Sequence, residues 1–187
     1  MTSPINEATV PVFDLIRQWG SDRNLILGAT PQAQFVKLCE EFGEVTLGME
    51  EDNYAEIKDG LGDTAVVLTI LASQMGTTIE ECFEYAVGME RTFVYFDDET
   101  EYSAYIRAMS TQFGKLATGI AKKNAPLAKE ALGHALGLVS ALSGCLLVEE
   151  GFDDALLASY NVIKDRKGKM IDGIFVKEAD LHMVGGQ

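Results

Sequence analysis

Apolar residues recur at spacings of three and four along most of the chain, which predicts helices over 9–19, 31–49, 54–75, 78–95, 100–122, 125–148 and 152–167. No stretch alternates as a half-buried strand for long. Breakers separate the periodic runs at Gly28 to Pro31, Gly76 to Thr78, Asp97 to Thr100, Asn124 to Pro126 and Gly151. Thr30 before Pro31 reads as a helix N-cap. From Gly168 onward the pattern is irregular, with a short extended piece at Ile174 to Val176. The expected fold is all-α, a helical bundle.

The helical pattern repeats itself. Two windows align without gaps at an offset of 71 residues, which places Phe42-Gly43 on Phe113-Gly114, Gly48 on Gly119 and Asn53 on Asn124. At the same offset Lys58 falls on Lys129, Leu61-Gly62 on Leu132-Gly133 and Leu71 on Leu142. With two residues inserted, Ile79-Glu80-Glu81 continues onto Phe152-Asp153-Asp154. Such agreement predicts a duplicated helical unit, residues 1–96 and 97–187, against the alternative of coincidental small-residue packing. The differences between copies are chemical. Opposite Glu40, Glu41 and Glu44 stand Thr111, Gln112 and Lys115, and opposite Asp63 stands His134, while Asp59 is matched by Glu130.

Composition narrows the function. The chain has 187 residues, 47% of them hydrophobic, enough to bury a sizeable core, and a formal net charge of −14. That charge repels nucleic-acid phosphates, so no nucleic-acid partner is expected. No apolar run approaches the roughly 20 residues of a bilayer span, so no membrane partner is expected either. Cys39, Cys82 and Cys145 are odd in number and widely spaced, which suits reduced thiols. A cytoplasmic location is the expectation. The charge is also uneven: residues 1–93 carry net −11 and residues 94–187 net −3.

Part of the acidic excess is concentrated. On a helix, Glu41 and Glu44, or Glu40 and Glu44, share a face. The next helix offers Glu56, Asp59 and Asp63 at spacings of three and four, and Asp63 opens the apolar stretch Thr64 to Leu68. A short connection favours antiparallel packing of the two helices, which turns both acid sets toward one cleft. Several carboxylates in one cleft need a counter-charge, and the natural one is a hard divalent cation, Mg²⁺ or Mn²⁺. The plainer alternative is a solvated acidic face. Gly43 and Gly62, each costing about 1 kcal/mol relative to Ala in a helix, suggest close helix contact at this level.

The segment Lys37-Leu38-Cys39-Glu40-Glu41-Phe42-Gly43-Glu44, followed by Lys58-Asp59-Gly60-Leu61-Gly62-Asp63 and an apolar helix, resembles the MazG-type all-α nucleoside triphosphate pyrophosphohydrolases, whose signature is ExxE, a spacer, then ExxD. The stretch Lys164 to Lys177 resembles the C-terminal end of phage MazG-like proteins. Matched to the signature, Glu41 and Glu44 are the first acidic pair and Asp63 the last acid. The remaining glutamate position is occupied by Gly60, and Asp59, one residue earlier and still on the face of Asp63, is the preferred substitute over Glu56.

The resemblance implies Mg²⁺-dependent hydrolysis (Mn²⁺ as the alternative ion) of a nucleoside triphosphate, a deoxynucleotide first, to the monophosphate and pyrophosphate. Glu41, Glu44, Asp59 and Asp63 would be metal ligands, and Glu41 or Glu40 the base. Acids alone would repel the substrate, so cations must meet its phosphates, and Lys164, Arg166, Lys167 and Lys169 are the densest basic cluster. Lys37 is a further phosphate candidate, and Trp19, with Arg17 and Arg23, a candidate base pocket. The site would then be composite, with metal ligands from the first copy and cations from the second. One chain would act as a pseudo-dimer, and a homodimer of such pseudo-dimers is compatible with it. The alternative is a non-catalytic helical protein that binds nucleotides or a partner.

Overall fold

A computed structural model describes residues 3–89, 102–171 and 173–184. The boundary expected at residues 96/97, the end of the helix predicted over 78–95 and the start of that over 100–122 lie outside the described residues. The chain runs through α1 (Thr9–Asp22), α2 (Leu25–Gly28), α3 (Pro31–Glu50), α4 (Tyr54–Gln74), α5 (Ile79–Gly88), α6 (Tyr102–Ala121), α7 (Ala125–Leu146) and α8 (Gly151–Ile163). It then forms an antiparallel hairpin, β1 (Gly168–Ile171) with β2 (Ile174–Lys177), a short 3₁₀ turn and α9 (Leu181–Val184). The fold is all-α apart from this two-stranded ribbon. No single helix among the described residues is long and apolar enough to cross a membrane.

Local chemistry accounts for the helix starts. The Thr30 hydroxyl accepts the N–H of Ala33, with Pro31 as the first helical residue of α3. Asn53 and Asn124, equivalent at the 71-residue offset, accept the N–H groups of Glu56 and Leu127 at the starts of α4 and α7. The preceding helices also end alike. Asp52 and Lys123 take left-handed conformations at φ 52° and 51°, and the next N–H, of Asn53 or Asn124, bonds back to Gly48 or Gly119 at 2.8 Å.

The core lies around α4 and α7, which are buried on nearly all sides along most of their lengths. α3 pairs with α4, and α6 with α7. Beyond those pairs the packing crosses over. α5 lies mainly on α7, and α8 mainly on α4. Gly62 of α4 is pressed against the backbone of Ala155 and the hydroxyl of Ser159 on α8, where an added Cβ would sit 2.4 Å from the Ala155 carbonyl oxygen. Gly133 of α7 is pressed the same way against Cys82 and Ala86 of α5, with 2.0 Å to the Cys82 carbonyl oxygen. The offset relates Gly62 to Gly133, and the two-residue insertion relates Cys82 and Ala86 to Ala155 and Ser159. Phe42 and its counterpart Phe113 meet edge to face at 5.5 Å.

Three expectations are corrected. Gly43 is exposed with open space around it, so only Gly62 makes the close helix contact expected of both. α8 stops at Ile163 instead of continuing to 167, because the Arg23 guanidinium takes the carbonyls of Lys164 and Arg166 and turns the chain toward the hairpin. The tail after Gly168 is ordered as that hairpin rather than irregular, and the extended piece expected at Ile174 to Val176 lies within β2.

Candidate functional site

α3 and α4 pack so closely that an added Cβ on Gly60 would lie 3.0 Å from the backbone nitrogen of Val45 and 2.9 Å from its side chain. Gly60 therefore faces the backbone of α3. A glutamate there would press its Cβ against Val45 of α3 and not point into the cleft. The acids sit to either side of this contact. Glu41 is buried, Asp63 and Glu44 are partly buried, and Asp59 and Glu40 are exposed. Glu56 is taken up in capping: its N–H goes to the Asn53 side chain, and its carboxylate accepts from Asn53 Nδ2 at 2.9 Å.

These carboxylates disturb one another. Burial, then the charges of Glu41 and Asp59, push the Asp63 carboxyl up to about 6, while the Ser159 hydroxyl and Arg166 act against the rise. Burial and the neighbouring Glu41 push Glu44 up as well. Asp63 Oδ1 is buried without a hydrogen-bond partner. The positive charge nearest the cluster is Lys37, one turn before Glu41, whose Nζ lies 2.5 Å from Glu41 and 2.9 Å from Glu40. Burial opposes that ammonium, but the two glutamates outweigh it and raise the Lys37 pKa.

Hard oxygen donors, mutual repulsion and an orphaned buried oxygen match the chemistry of a divalent-cation site. The arrangement is not yet a coordination shell, since among the described residues no three His, Cys, Asp or Glu side chains converge on one point.

A pocket of about 380 Å³ opens beside the acids, within the size range of small-molecule sites. Glu40, Glu41, Asp63 and Lys37 stand at its edge, and its interior is largely apolar, from Val66, Val67 and Ile70 of α4 to Ile163 at the end of α8. Glu44 and Asp59 do not line it. Trp19 does, but as packing: it is 8% exposed, donates its indole N–H to the Ile163 carbonyl at 2.7 Å, and carries the Arg23 guanidinium 4.9 Å from its ring centre. Arg17 pairs with Glu80 and Asp14, braces α1 against α5 and is not in the pocket wall.

Of the basic cluster, Arg166 alone lines the pocket. Lys164 donates to Asn161 at 2.9 Å, and Lys167 and Lys169 are exposed outside the pocket lining. The sequence reading missed Lys177, Phe175 and Gln34, all in the wall. Only the pairing of β1 with β2 folds Phe175 and Lys177 back onto α1 and α3, and helical periodicity carried no signal of it.

The second pair of helices differs in charge: Gln112, the counterpart of Glu41, also has a buried oxygen without a hydrogen-bond partner, but it is neutral. At the position of Glu44 stands Lys115, which donates to Glu130, the counterpart of Asp59, at 3.1 Å, with Glu130 buried.

No family model matches the chain, and no solved structure matches it. Over 59 residues it is 52% identical to an uncharacterized 18.2 kDa protein of the rep-hol intergenic region of Haemophilus phage HP1, a match covering 32% of this chain and 36% of that protein. The chain therefore has a phage-encoded relative and spans about a third of that relative's length.

Proposed function

We propose that this protein is a divalent-metal-dependent nucleoside triphosphate pyrophosphohydrolase of MazG type, built from two helical copies of which the first carries the metal site. The observation that carries this reading is Asp63, a carboxylate with one orphaned buried oxygen, held beside Glu41 at the rim of an apolar pocket. Glu41, Glu44, Asp59 and Asp63 are the proposed metal ligands. A bound Mg²⁺ or Mn²⁺ would supply neutralisation of phosphate charge and activation of water.

The chain's own residues do the rest. Glu40 and Glu41 flank the pocket mouth, and either accepts the proton of the water that adds to the α-phosphorus. The bond from that phosphorus to the bridging oxygen breaks, and pyrophosphate leaves with the electron pair. Lys37, hydrogen-bonded to both glutamates, holds them in place and adds positive charge where phosphates approach. The reciprocal contacts of Gly62 and Gly133, and the meeting of Phe42 with Phe113, support a pseudo-dimer within one chain, since equivalent residues meet across a two-fold interface.

The deciding measurement is pyrophosphate release from deoxynucleoside triphosphates with Mg²⁺, in the native chain and in folded Glu44→Gln and Asp63→Asn variants. Turnover that both variants lose supports the enzyme. A second reading, a nucleotide-binding protein without turnover, is favoured by the absence of a converged ligand set among the described residues, and binding without pyrophosphate release would establish it.

A further inference from the structure

The β-hairpin is the part of the site that helical periodicity did not announce. Its strands pair from Gly168 with Lys177 to Ile171 with Ile174, and Gly173 at φ 80° makes the turn. At Gly168 an added Cβ would lie 2.3 Å from the Val176 carbonyl oxygen and 2.6 Å from the Phe175 ring, so only glycine lets the ribbon close on itself here. Phe175 and Lys177 are two residues apart on β2 and share a face. That face is turned to the pocket, and Phe175 meets Trp19 edge to face at 6.4 Å.

Three features of this wall point to one ligand chemistry. Phe175 is partly open, whereas Trp19 is spent on packing, so the aromatic surface left for a flat ring is on the hairpin. Arg166 and Lys177, both at the open end of the hairpin, join Lys37 in bringing positive charge to a pocket that Glu40, Glu41 and Asp63 also line. The interior between them is apolar, and Gln34 is the only neutral polar side chain in the lining among the described residues. An apolar slot with an aromatic wall, lined also by three cations and by carboxylates able to hold a metal ion, suits a nucleoside polyphosphate: ring in the slot, phosphates toward the cations.

We infer that the hairpin forms the nucleotide-binding wall, with Phe175 stacking on the base and Lys177 contacting the phosphates, in place of the base-stacking role first considered for Trp19. This deepens the pyrophosphohydrolase reading and rests on it for the identity of the ligand, but it makes a claim about binding that turnover does not decide.

The chain holds a single tryptophan, Trp19, which reports on the pocket by its fluorescence. The probe ligands are an α,β-imido deoxynucleoside triphosphate, which is not cleaved between those phosphates, and inorganic triphosphate, which has no base. Phe175→Ala is expected to weaken the imido nucleotide about tenfold, in line with the loss of one base-stacking aromatic, and to leave inorganic triphosphate unchanged. Lys177→Ala is expected to weaken both ligands, with recovery in Lys177→Arg.

Retained cooperative thermal unfolding shows that each variant is folded, and Phe175→Leu, which removes the ring but keeps apolar bulk, takes its place if Phe175→Ala is not. Unchanged affinity for the imido nucleotide in folded Phe175 and Lys177 variants overturns the inference, as does a loss in Lys177→Ala that arginine does not restore. Hairpin-dependent binding by a chain that releases no pyrophosphate sustains the inference and removes only the enzymatic reading.

Discussion

The two helical pairs, α3 with α4 and α6 with α7, share end caps, interhelical glycines and the phenylalanine on which they meet, yet they resolve the same electrostatic problem in opposite ways. In the second pair Lys115 is the counter-ion of the buried Glu130, so the charge is neutralised within the fold. In the first pair Glu44 replaces the lysine and Asp59 the glutamate; Lys37 pairs with Glu40 and Glu41, while burial and the charge of Glu41 raise the proton affinity of Glu44 and Asp63. Among the described residues no ion pair is formed by Glu44 or Asp63, and that difference from Glu130 is what the proposed cation site rests on.

The comparison breaks most sharply on activity. Asp63→Asn and Glu44→Gln are expected to lower pyrophosphate release by a factor on the order of 10³, roughly 4 kcal/mol of transition-state stabilisation, while His134→Asn and Gln112→Ala leave it within about twofold. Steady-state kinetics on folded variants checks this. Equal losses in the two halves would mean that both are catalytic and that their difference in charge has been misread.

Next in size is a test of what the halves share. Gly62→Ala and Gly133→Ala should each destabilise the fold by about 3 kcal/mol, since a Cβ at either position meets backbone that must move, and the two costs should agree within about 1 kcal/mol. Denaturant unfolding measures both. One tolerated substitution would mean that the crossed packing is not reciprocal. Gly60→Glu, which would complete the ExxD of the proposed family, should also destabilise, because its Cβ meets Val45 rather than the cleft.

These glycines also show how far the sequence could be read. Helical periodicity exposed most of the helices, Thr30 before Pro31 marked the cap of α3, and the interior glycine Gly62 was read as a contact point, which the structure shows. The same periodicity could not distinguish Gly43, which faces solvent, from Gly60, which faces a backbone, since the side a glycine presents depends on the partner helix and not on its own. The acids were legible for the reason that makes them costly: charge beside an apolar run stands out. The pocket was only half legible. Trp19, Lys37 and Arg166 were found by residue type, whereas Phe175 and Lys177 reach the site through a ribbon pairing between two four-residue strands. Lys164, Lys167 and Lys169 show the converse error, in which a dense run of charge was taken for a site when the turn directs one of its members, Arg166, inward.

A third prediction uses pH. The Asp63 carboxyl, ordinarily near 3.8, titrates at about 6 in the folded protein. Below 3.8 both folded and unfolded states hold the proton and the group costs nothing. Between those values the folded state retains a proton that the unfolded state releases, so stability falls as pH rises, and above about 6 the full cost persists. Asp63→Asn should therefore stabilise the metal-free protein by on the order of 2 kcal/mol at pH 8, and by nothing measurable near pH 3. Saturating Mg²⁺ should reverse the order by stabilising the native chain and not the variant. Thermal unfolding at the two pH values, with and without Mg²⁺, reads all four cases.

The smallest effect isolates the counter-ion itself. A double-mutant cycle on Lys115 and Glu130, using Lys115→Met and Glu130→Gln, should return an attractive coupling of about 1 kcal/mol, because the pair is partly buried and hydrogen-bonded. At the equivalent place in the first half the sign should invert: Glu44→Gln in metal-free protein should raise stability above neutral pH, since burial and Glu41 hold the Glu44 carboxyl above its ordinary range. Lys115→Glu then carries the argument across. It gives the second half the charge pattern of the first at this level, so it should destabilise the fold without Mg²⁺ and become sensitive to Mg²⁺. A Lys115→Glu chain indifferent to the cation would show that one matched acid cannot import the site, and that Glu41 and Asp63, whose counterparts Gln112 and His134 are uncharged or basic, are needed with it.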